Sequence, residues 1–191
     1  MPHSVCPWWI GYLLASPLRR LMYDPAKILA PYVREGMTVL EPGPGMGFFT
    51  LELARRVGAS GRVVAVDIQP KMLDRLKRRA AHAGLLARLD IRLAQPDSMS
   101  LAGAAGTVDF VLAFAMAHEM PSAILFFQET AQAMKPGAHL LLAEPDGHVK
   151  PALFEAELAS AAQAGLHVSD RPVIRRSLAA VLIKEVDGGS C

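Results

Sequence analysis

Glycines recur at alternate positions in Glu41-Pro42-Gly43-Pro44-Gly45-Met46-Gly47, directly behind an acidic residue and just ahead of a helical pattern. Glycine permits a tight turn and a close approach of backbone to a ligand, and the start of a helix offers backbone N–H groups that still lack partners. A dinucleotide fingerprint, G-x-G-x-x-G, would need its third glycine at position 48, where Phe48 stands. A phosphate-gripping Walker loop is excluded too, because no Gly-Lys-Ser/Thr follows. Asp67 ends the next apolar block, about 20 residues beyond the loop, where an acidic side chain can take both hydroxyls of a ribose. Glu41 beside the loop disfavours a phosphate, since like charges repel at close range. The ligand that suits both acids carries adenosine, an amino-acid ammonium and a sulfonium, with no phosphate.

Two further stretches place polar residues after apolar blocks: Phe114-Ala115-Met116-Ala117-His118-Glu119 and Glu144-Pro145-Asp146-Gly147-His148. A neutral imidazole titrates near working pH, so His118 and His148 are candidates to take a proton from a substrate. The alternatives stay open: His118 can begin a helix or pack, and His148 can cap the helix that opens at Pro151. The two cysteines, Cys6 and Cys191, sit at opposite ends and exclude a disulfide scaffold or a Cys-based zinc site. No metal is expected.

The elements that must carry these residues are legible as short apolar runs at 37–42, 62–67, 87–94, 108–115 and 139–144. They lack strict alternation, as expected of strands buried on both faces of a parallel sheet. Helical patterns lie between them, over 48–57, 71–81 and 123–134, and another over 151–164. Pro70 and Pro121 stand near helix starts, and Gly58, Gly84 and Gly165 just past helix ends. Alternating strand and helix predict an α/β, doubly wound, mostly parallel sheet. The tail gives two β-like stretches, 166–176 and 178–186, close enough for an antiparallel hairpin at the sheet edge.

Residues 1–35 differ from the rest and predict a separate N-terminal helical segment ahead of a core over 36–191. Asp24-Pro25 reads as an N-cap followed by proline at the first helical position. Trp8, Trp9 and Tyr12 make a short aromatic helix that either packs on the core or covers the ligand cleft as a lid.

The 191 residues carry 20 Lys+Arg against 18 Asp+Glu, a net charge of +2, and 52% are hydrophobic. The length suits one domain and the composition excludes disorder. A pI near 8.7 from two net charges gives no basic footprint, so no nucleic-acid partner is expected. Mean hydropathy is high, at +0.26, yet no run of about 18 to 20 apolar residues could span a bilayer. The N-terminal apolar run lacks the basic residues and cleavage site of a signal peptide, so the expectation is a cytoplasmic protein.

With its glycine loop, Asp67 and element order, the sequence resembles a class I S-adenosylmethionine-dependent methyltransferase over roughly residues 36–145. That resemblance implies a Rossmann-like, seven-stranded sheet with an antiparallel last strand, and S-adenosylmethionine as cofactor with S-adenosylhomocysteine as product. It places Gly43, Gly45 and Gly47 against the methionine part of the cofactor and Glu41 at its amino group. Asp67 would hold the ribose and Ile68 would pack on the adenine. Asp97, with Ser98 beside it, would lie near the adenine amino group, with a turn aspartate as the other reading of Asp97. Ala113 and Phe114 would present backbone carbonyls to the ammonium.

The acceptor follows from what the sequence lacks. There is no Asn/Asp-Pro-Pro-aromatic motif after the fourth strand and no cysteine nucleophile there. What remains resembles the small-molecule branch, akin to quinone-ring and arsenite methyltransferases, although Cys6 alone cannot supply the several cysteines of the arsenite enzymes. The expected reaction is in-line methyl transfer to a small, apolar or soft-nucleophile acceptor. His118 and His148 are the candidate bases, and Trp8, Trp9, Tyr12, Glu119 and Glu144 are the candidate substrate contacts. An RNA methyltransferase and a non-catalytic S-adenosylmethionine-binding protein are the rival readings. The oligomeric state is left open.

Overall fold

Asp24 accepts the backbone N–H groups of Ala26 and Lys27 and so starts α1 (Pro25–Leu29), with Pro25 at the first position as the sequence predicts. The computed structural model describes residues 22–95 and 98–186. Trp8, Trp9 and Tyr12, the two cysteines, and Asp97 lie outside them. The chain divides into two units, one ending at Ser100 and the other beginning at Leu101. Between them they supply the seven strands of the expected mixed sheet.

The first unit contains β1 (Thr38–Pro42), α2 (Thr50–Arg56), β2 (Arg62–Asp67), α3 (Pro70–His82) and β3 (Leu89–Leu93). Its strands are parallel and ordered β3-β2-β1, with Leu40 opposite Val64 and Ala65 opposite Ile91. The central strand β2 is buried from Val63 to Asp67, which is why its sequence reads as a continuous apolar run. Helix α3 buries Met72, Leu73, Leu76 and Ala80 on one stripe, and Leu73 and Leu76 pack on Ala65 with Leu89 and Ile91. Leu76 is fully buried, and a leucine so placed contributes roughly 1.5–3 kcal/mol.

The second unit contains β4 (Val108–Phe114), α4 (Ala123–Ala133), β5 (Met134–Pro145), α5 (Pro151–Gln163), β6 (Leu166–Asp170) and β7 (Ser177–Lys184), in the strand order β4-β5-β7-β6. Strand β5 begins at Met134, well before the apolar run that signals it. The extra length is irregular: Val108 pairs with Met134 and Phe110 with His139, a register shift that takes up Lys135-Pro136-Gly137. Proline cannot donate to a ladder, and a bulge is where it is tolerated. The tail forms the expected hairpin, and β7 runs antiparallel to both β5 and β6. Its inner residues Ala179–Leu182 are buried, whereas β6 buries only Leu166. Among the described residues no helix is long and apolar enough to cross a membrane.

Candidate functional site

In the first unit, β1 delivers Glu41 to its buried end, at 4% exposure, and the glycine loop leaves from there. The Gly43 N–H donates to the Val66 carbonyl at 2.8 Å and the Gly47 N–H to that of Pro44 at 3.0 Å, folding the loop back over the end of β2. Gly45 and Gly47 have φ of +54° and +86°, a region that side-chain-bearing residues rarely adopt. The Gly45 N–H donates to Asp67 Oδ2 at 3.2 Å, while Asp67 Oδ1 accepts the Gln69 N–H at 2.9 Å. A Cβ on Gly47 would lie 2.6 Å from Leu76 Cδ1, so the loop rests directly on α3, whereas a Cβ on Gly45 would meet nothing within 4 Å.

These residues fit S-adenosylmethionine. Asp67 is an acid at the end of β2 beside the glycine loop, the residue type and the place that suit ribose hydroxyls. Gly45 borders open space, where a ligand can approach the main chain. Ile68, directly after Asp67, is 40% exposed, an apolar surface free to pack on a ring. The Ser98 hydroxyl accepts the Ser100 N–H at 3.1 Å and shapes the turn that follows β3.

In the second unit, β4 ends with Ala113 and Phe114 buried. Ala115 then takes φ +57°, with its N–H donating to the Ala143 carbonyl at 2.7 Å. A left-handed alanine costs about 1 kcal/mol and marks a place where the fold dictates the backbone. The chain turns there into a 3-10 turn over Ala117–Glu119. Glu144, fully buried at the end of β5, accepts the Ala117 N–H on Oε1 at 2.7 Å, and its Oε2 lies 2.5 Å from His118 Nδ1. Glu119 Oε1 is 3.9 Å from His118 Nε2, too far for a hydrogen bond. The His148 ring packs edge-on against the His118 ring, centroids 5.0 Å apart.

Burial by itself lowers the His118 pKa. The hydrogen bond and charge of Glu144, then the charges of Glu119 and Glu157, outweigh it and hold the imidazole above its ordinary value. With Nδ1 bound to a carboxylate, the neutral ring keeps its proton on Nδ1 and presents Nε2 as acceptor.

The structure thus brings together His118, His148, Glu119 and Glu144 from the sequence expectations, and it revises one of them. Glu144, expected against the substrate, has no exposed surface and engages both carboxylate oxygens with its own chain. As for His148, the residue at the N-cap of α5 is Lys150, with no side-chain cap, so the ring packs on His118 rather than capping. Sequence reasoning missed two residues. Glu157 lies on the buried stripe of α5 with Phe154, Leu158 and Ala161. An acid at i+3 of an apolar i, i+3, i+4, i+7 pattern was the signal available. The other is Arg79, which donates from Nη1 to the Met46 carbonyl inside the glycine loop. Nothing local in the sequence announces that reach. No group of histidines, cysteines and acids among the described residues is arranged to hold a metal ion.

A family profile described as a methyltransferase domain matches residues 39–137, just over half of the chain. A ubiquinone/menaquinone biosynthesis C-methyltransferase of Hydrogenovibrio crunogenus is 27% identical over 124 residues, 65% of this chain and 48% of that protein. An arsenite methyltransferase of Halobacterium salinarum is 26% identical over 109 residues, 57% of this chain and 27% of that one. The chain therefore spans half or less of the length of these relatives. The crystal structure of a SAM-dependent methyltransferase from Aquifex aeolicus superposes with a TM-score of 0.83 at 24% identity, covering 94% of this chain and 99% of that one, which shows the fold. With the glycine loop tied to Asp67 and the profile matched across both, the chain belongs to the methyltransferase domain family, within the class I S-adenosylmethionine-dependent methyltransferases.

Proposed function

We propose that this protein transfers a methyl group from S-adenosylmethionine to a small-molecule acceptor, with His118 as the base that receives the acceptor's proton. The observation that carries the cofactor half is the Gly45–Asp67 hydrogen bond, which sets the glycine loop beside an acid suited to a ribose. Glu41, Gly43, Gly45, Gly47, Asp67 and Ile68 would hold the cofactor, with Asp97, Ser98, Ala113 and Phe114 completing the set that the family resemblance implies. When bound, S-adenosylmethionine supplies an electrophilic methyl group on a sulfonium.

The chain's own contribution is alignment and proton handling. Orientation of reactants can supply about 7–11 kcal/mol of a barrier, and a positioned base roughly 10²- to 10⁴-fold in rate. Glu144 fixes the ring and tautomer of His118, leaving Nε2 to accept a proton, and stabilises the imidazolium that results. A base held in this way suits an acceptor that loses a proton, such as a phenol or quinol, more than an already anionic thiolate. The quinone-ring and arsenite relatives support a small acceptor, and Trp8, Trp9, Tyr12 and Glu119 are the proposed contacts for it.

The test has two arms. Thermal shift with S-adenosylmethionine, S-adenosylhomocysteine and NAD should show stabilisation by the first two, and stabilisation by NAD alone overturns the cofactor reading. A screen of quinols, phenols, thiols and metalloids for S-adenosylhomocysteine release should then give turnover with a proton-bearing acceptor. Cofactor binding without release in any arm favours a sensor. Retention on heparin with steep salt dependence favours RNA as the acceptor.

A further inference from the structure

The buried stripe of α5 should be apolar throughout, and Glu157 stands in the middle of it at 3% exposure. Neither of its carboxylate oxygens has a hydrogen-bond partner. An ionised carboxylate in such a place is among the costliest groups a core can hold, and the usual accommodation is to keep a proton. The charged groups acting on Glu157 are Glu144 of β5 and His118 of the 3-10 turn. Those acting on His118 are Glu144, Glu119 and Glu157. Glu144 uses one oxygen on the Ala117 N–H and the other on His118 Nδ1, and no hydrogen bond joins it to Glu157 in the observed arrangement.

We propose that Glu157, Glu144 and His118 form one buried proton-holding unit, in which Glu157 is a positioning residue that sets the protonation state of His118 without meeting the acceptor. Two arrangements of this unit carry the same net charge. In one, Glu157 is a neutral carboxyl and His118 a neutral imidazole; in the other, Glu157 is ionised and His118 is imidazolium. The first can accept a proton on His118 Nε2 and the second cannot. Ionising Glu157 adds a second carboxylate charge to that of Glu144 and holds His118 charged, so a protonated Glu157 keeps the base ready. Burial pushes the Glu157 carboxyl up to about 7, and the Glu144 charge adds to the rise, which brings it into the range where an imidazole titrates. Groups coupled in this way titrate as a unit, in macroscopic steps that belong to neither residue alone.

The inference deepens the reading of His118 as the base, but its test needs neither cofactor nor acceptor. The His118 ring is followed by NMR against pH in wild type, Glu157→Gln and Glu157→Asp, with His118→Gln used to assign the signal. Wild type and Glu157→Asp should titrate over a range broader than a one-proton curve. Glu157→Gln should give a single one-proton curve with its midpoint lower by roughly half to one pH unit. An unchanged His118 curve in Glu157→Gln overturns the proposal. If that variant does not fold, the side-chain carboxyl carbon of Glu157 in wild type decides: titration near neutrality supports the unit, and titration in the ordinary carboxylate range overturns it. If methyl transfer proves insensitive to His118→Gln while Glu157→Gln still shifts the ring, the base assignment fails and the proton-holding unit stands.

Discussion

Glu144 holds His118 twice: its Oε2 lies 2.5 Å from Nδ1 of the ring, and its Oε1 takes the N–H of Ala117, the residue before, at 2.7 Å. One carboxylate at the end of β5 therefore fixes both the backbone that carries the histidine and the orientation of the imidazole. Glu144 is fully buried and the His118 side chain is 13% exposed, so water screens little of this interaction.

Replacement of Glu144 by Gln keeps the shape but can turn an amide NH₂ toward Nδ1. That reverses the tautomer, moves the ring proton to Nε2 and removes the acceptor. We expect kcat to fall by about 10²- to 10⁴-fold, with S-adenosylmethionine affinity unchanged within about twofold. Rates of S-adenosylhomocysteine release and a cofactor titration check the two halves. Stability gives an independent readout. The folded-state pKa of His118 is raised, so the pair's stabilisation is fully present below the unfolded value of about 6.5 and is lost as pH rises through the raised value. The deficit of Glu144→Gln relative to wild type should shrink between pH 6 and pH 9, from roughly 1.5–3 kcal/mol at the acid end.

Glu157 shares the direction of His118, since its folded pKa is raised too, but it enters as a penalty at high pH rather than as a stabilisation at low pH. Its folded pKa, about 7, exceeds the ordinary value of 4.5, so the native state holds a proton that the unfolded chain releases. The resulting penalty is absent below pH 4.5, grows through the interval and is complete above about 7. Glu157→Met, which suits the surrounding stripe of Phe154, Leu158 and Ala161, should raise Tm above pH 7 and much less at pH 5. At about 1.4 kcal/mol per pH unit the gain has an upper end of roughly 3 kcal/mol. Equal gains at both pH values would show that Glu157 is not a titrating group in the fold.

Much of the fold was legible because its signals are local. The run at 62–67 became β2 without change, and Asp24-Pro25 capped α1 as read, since a strand covered on both faces and a proline-started helix write themselves into consecutive residues. The early start of β5 was not legible, because Lys135-Pro136-Gly137 is extended only by virtue of the register shift against β4. The glycine loop and Asp67 were legible as a candidate site through their types and spacing, and the structure joins them by the Gly45–Asp67 hydrogen bond. The tie between Glu144 and His118 was not, because the two residues are 26 apart in sequence and are joined only by the pairing of β4 with β5.

Gly45 and Gly47 separate binding from folding. At Gly45 an alanine methyl would enter open space, with only the left-handed backbone to oppose it, about 1 kcal/mol. We expect Gly45→Ala to fold with a small drop in Tm and to lose at least about tenfold in S-adenosylmethionine affinity, ~1.4 kcal/mol, since the methyl occupies ligand space. At Gly47 the methyl would meet Leu76 Cδ1 at 2.6 Å in a fully buried contact. Gly47→Ala should cost about 2–5 kcal/mol of stability from overpacking and backbone strain together. Thermal melts with and without the cofactor distinguish the two, and a Gly45→Ala protein with unaltered cofactor affinity would remove the glycine loop from the binding site.

Arg79 tests whether the loop's shape is set by the helix beneath it. From α3 its Nη1 donates to the Met46 carbonyl, between Gly45 and Gly47, two of the loop's three glycines with left-handed backbone. Leu76, one turn earlier on the same helix, packs under Gly47, so α3 offers the loop both an apolar seat and a polar anchor. Arg79→Met keeps the aliphatic stem and removes the donor, which leaves the Met46 carbonyl to find another partner. A lost hydrogen bond to a charged group is worth roughly 1.5–3 kcal/mol, and this one, only part-buried, sits at or below the lower end of that range. We expect a Tm loss equivalent to about 1 kcal/mol and a weakening of S-adenosylmethionine binding by roughly tenfold, because the free loop must then be ordered on binding. Arg79→Lys, which keeps the charge but not the reach of the guanidinium, should fall between the two. Cofactor titration of the three proteins decides the matter: equal affinities would mean that the loop holds its shape without α3.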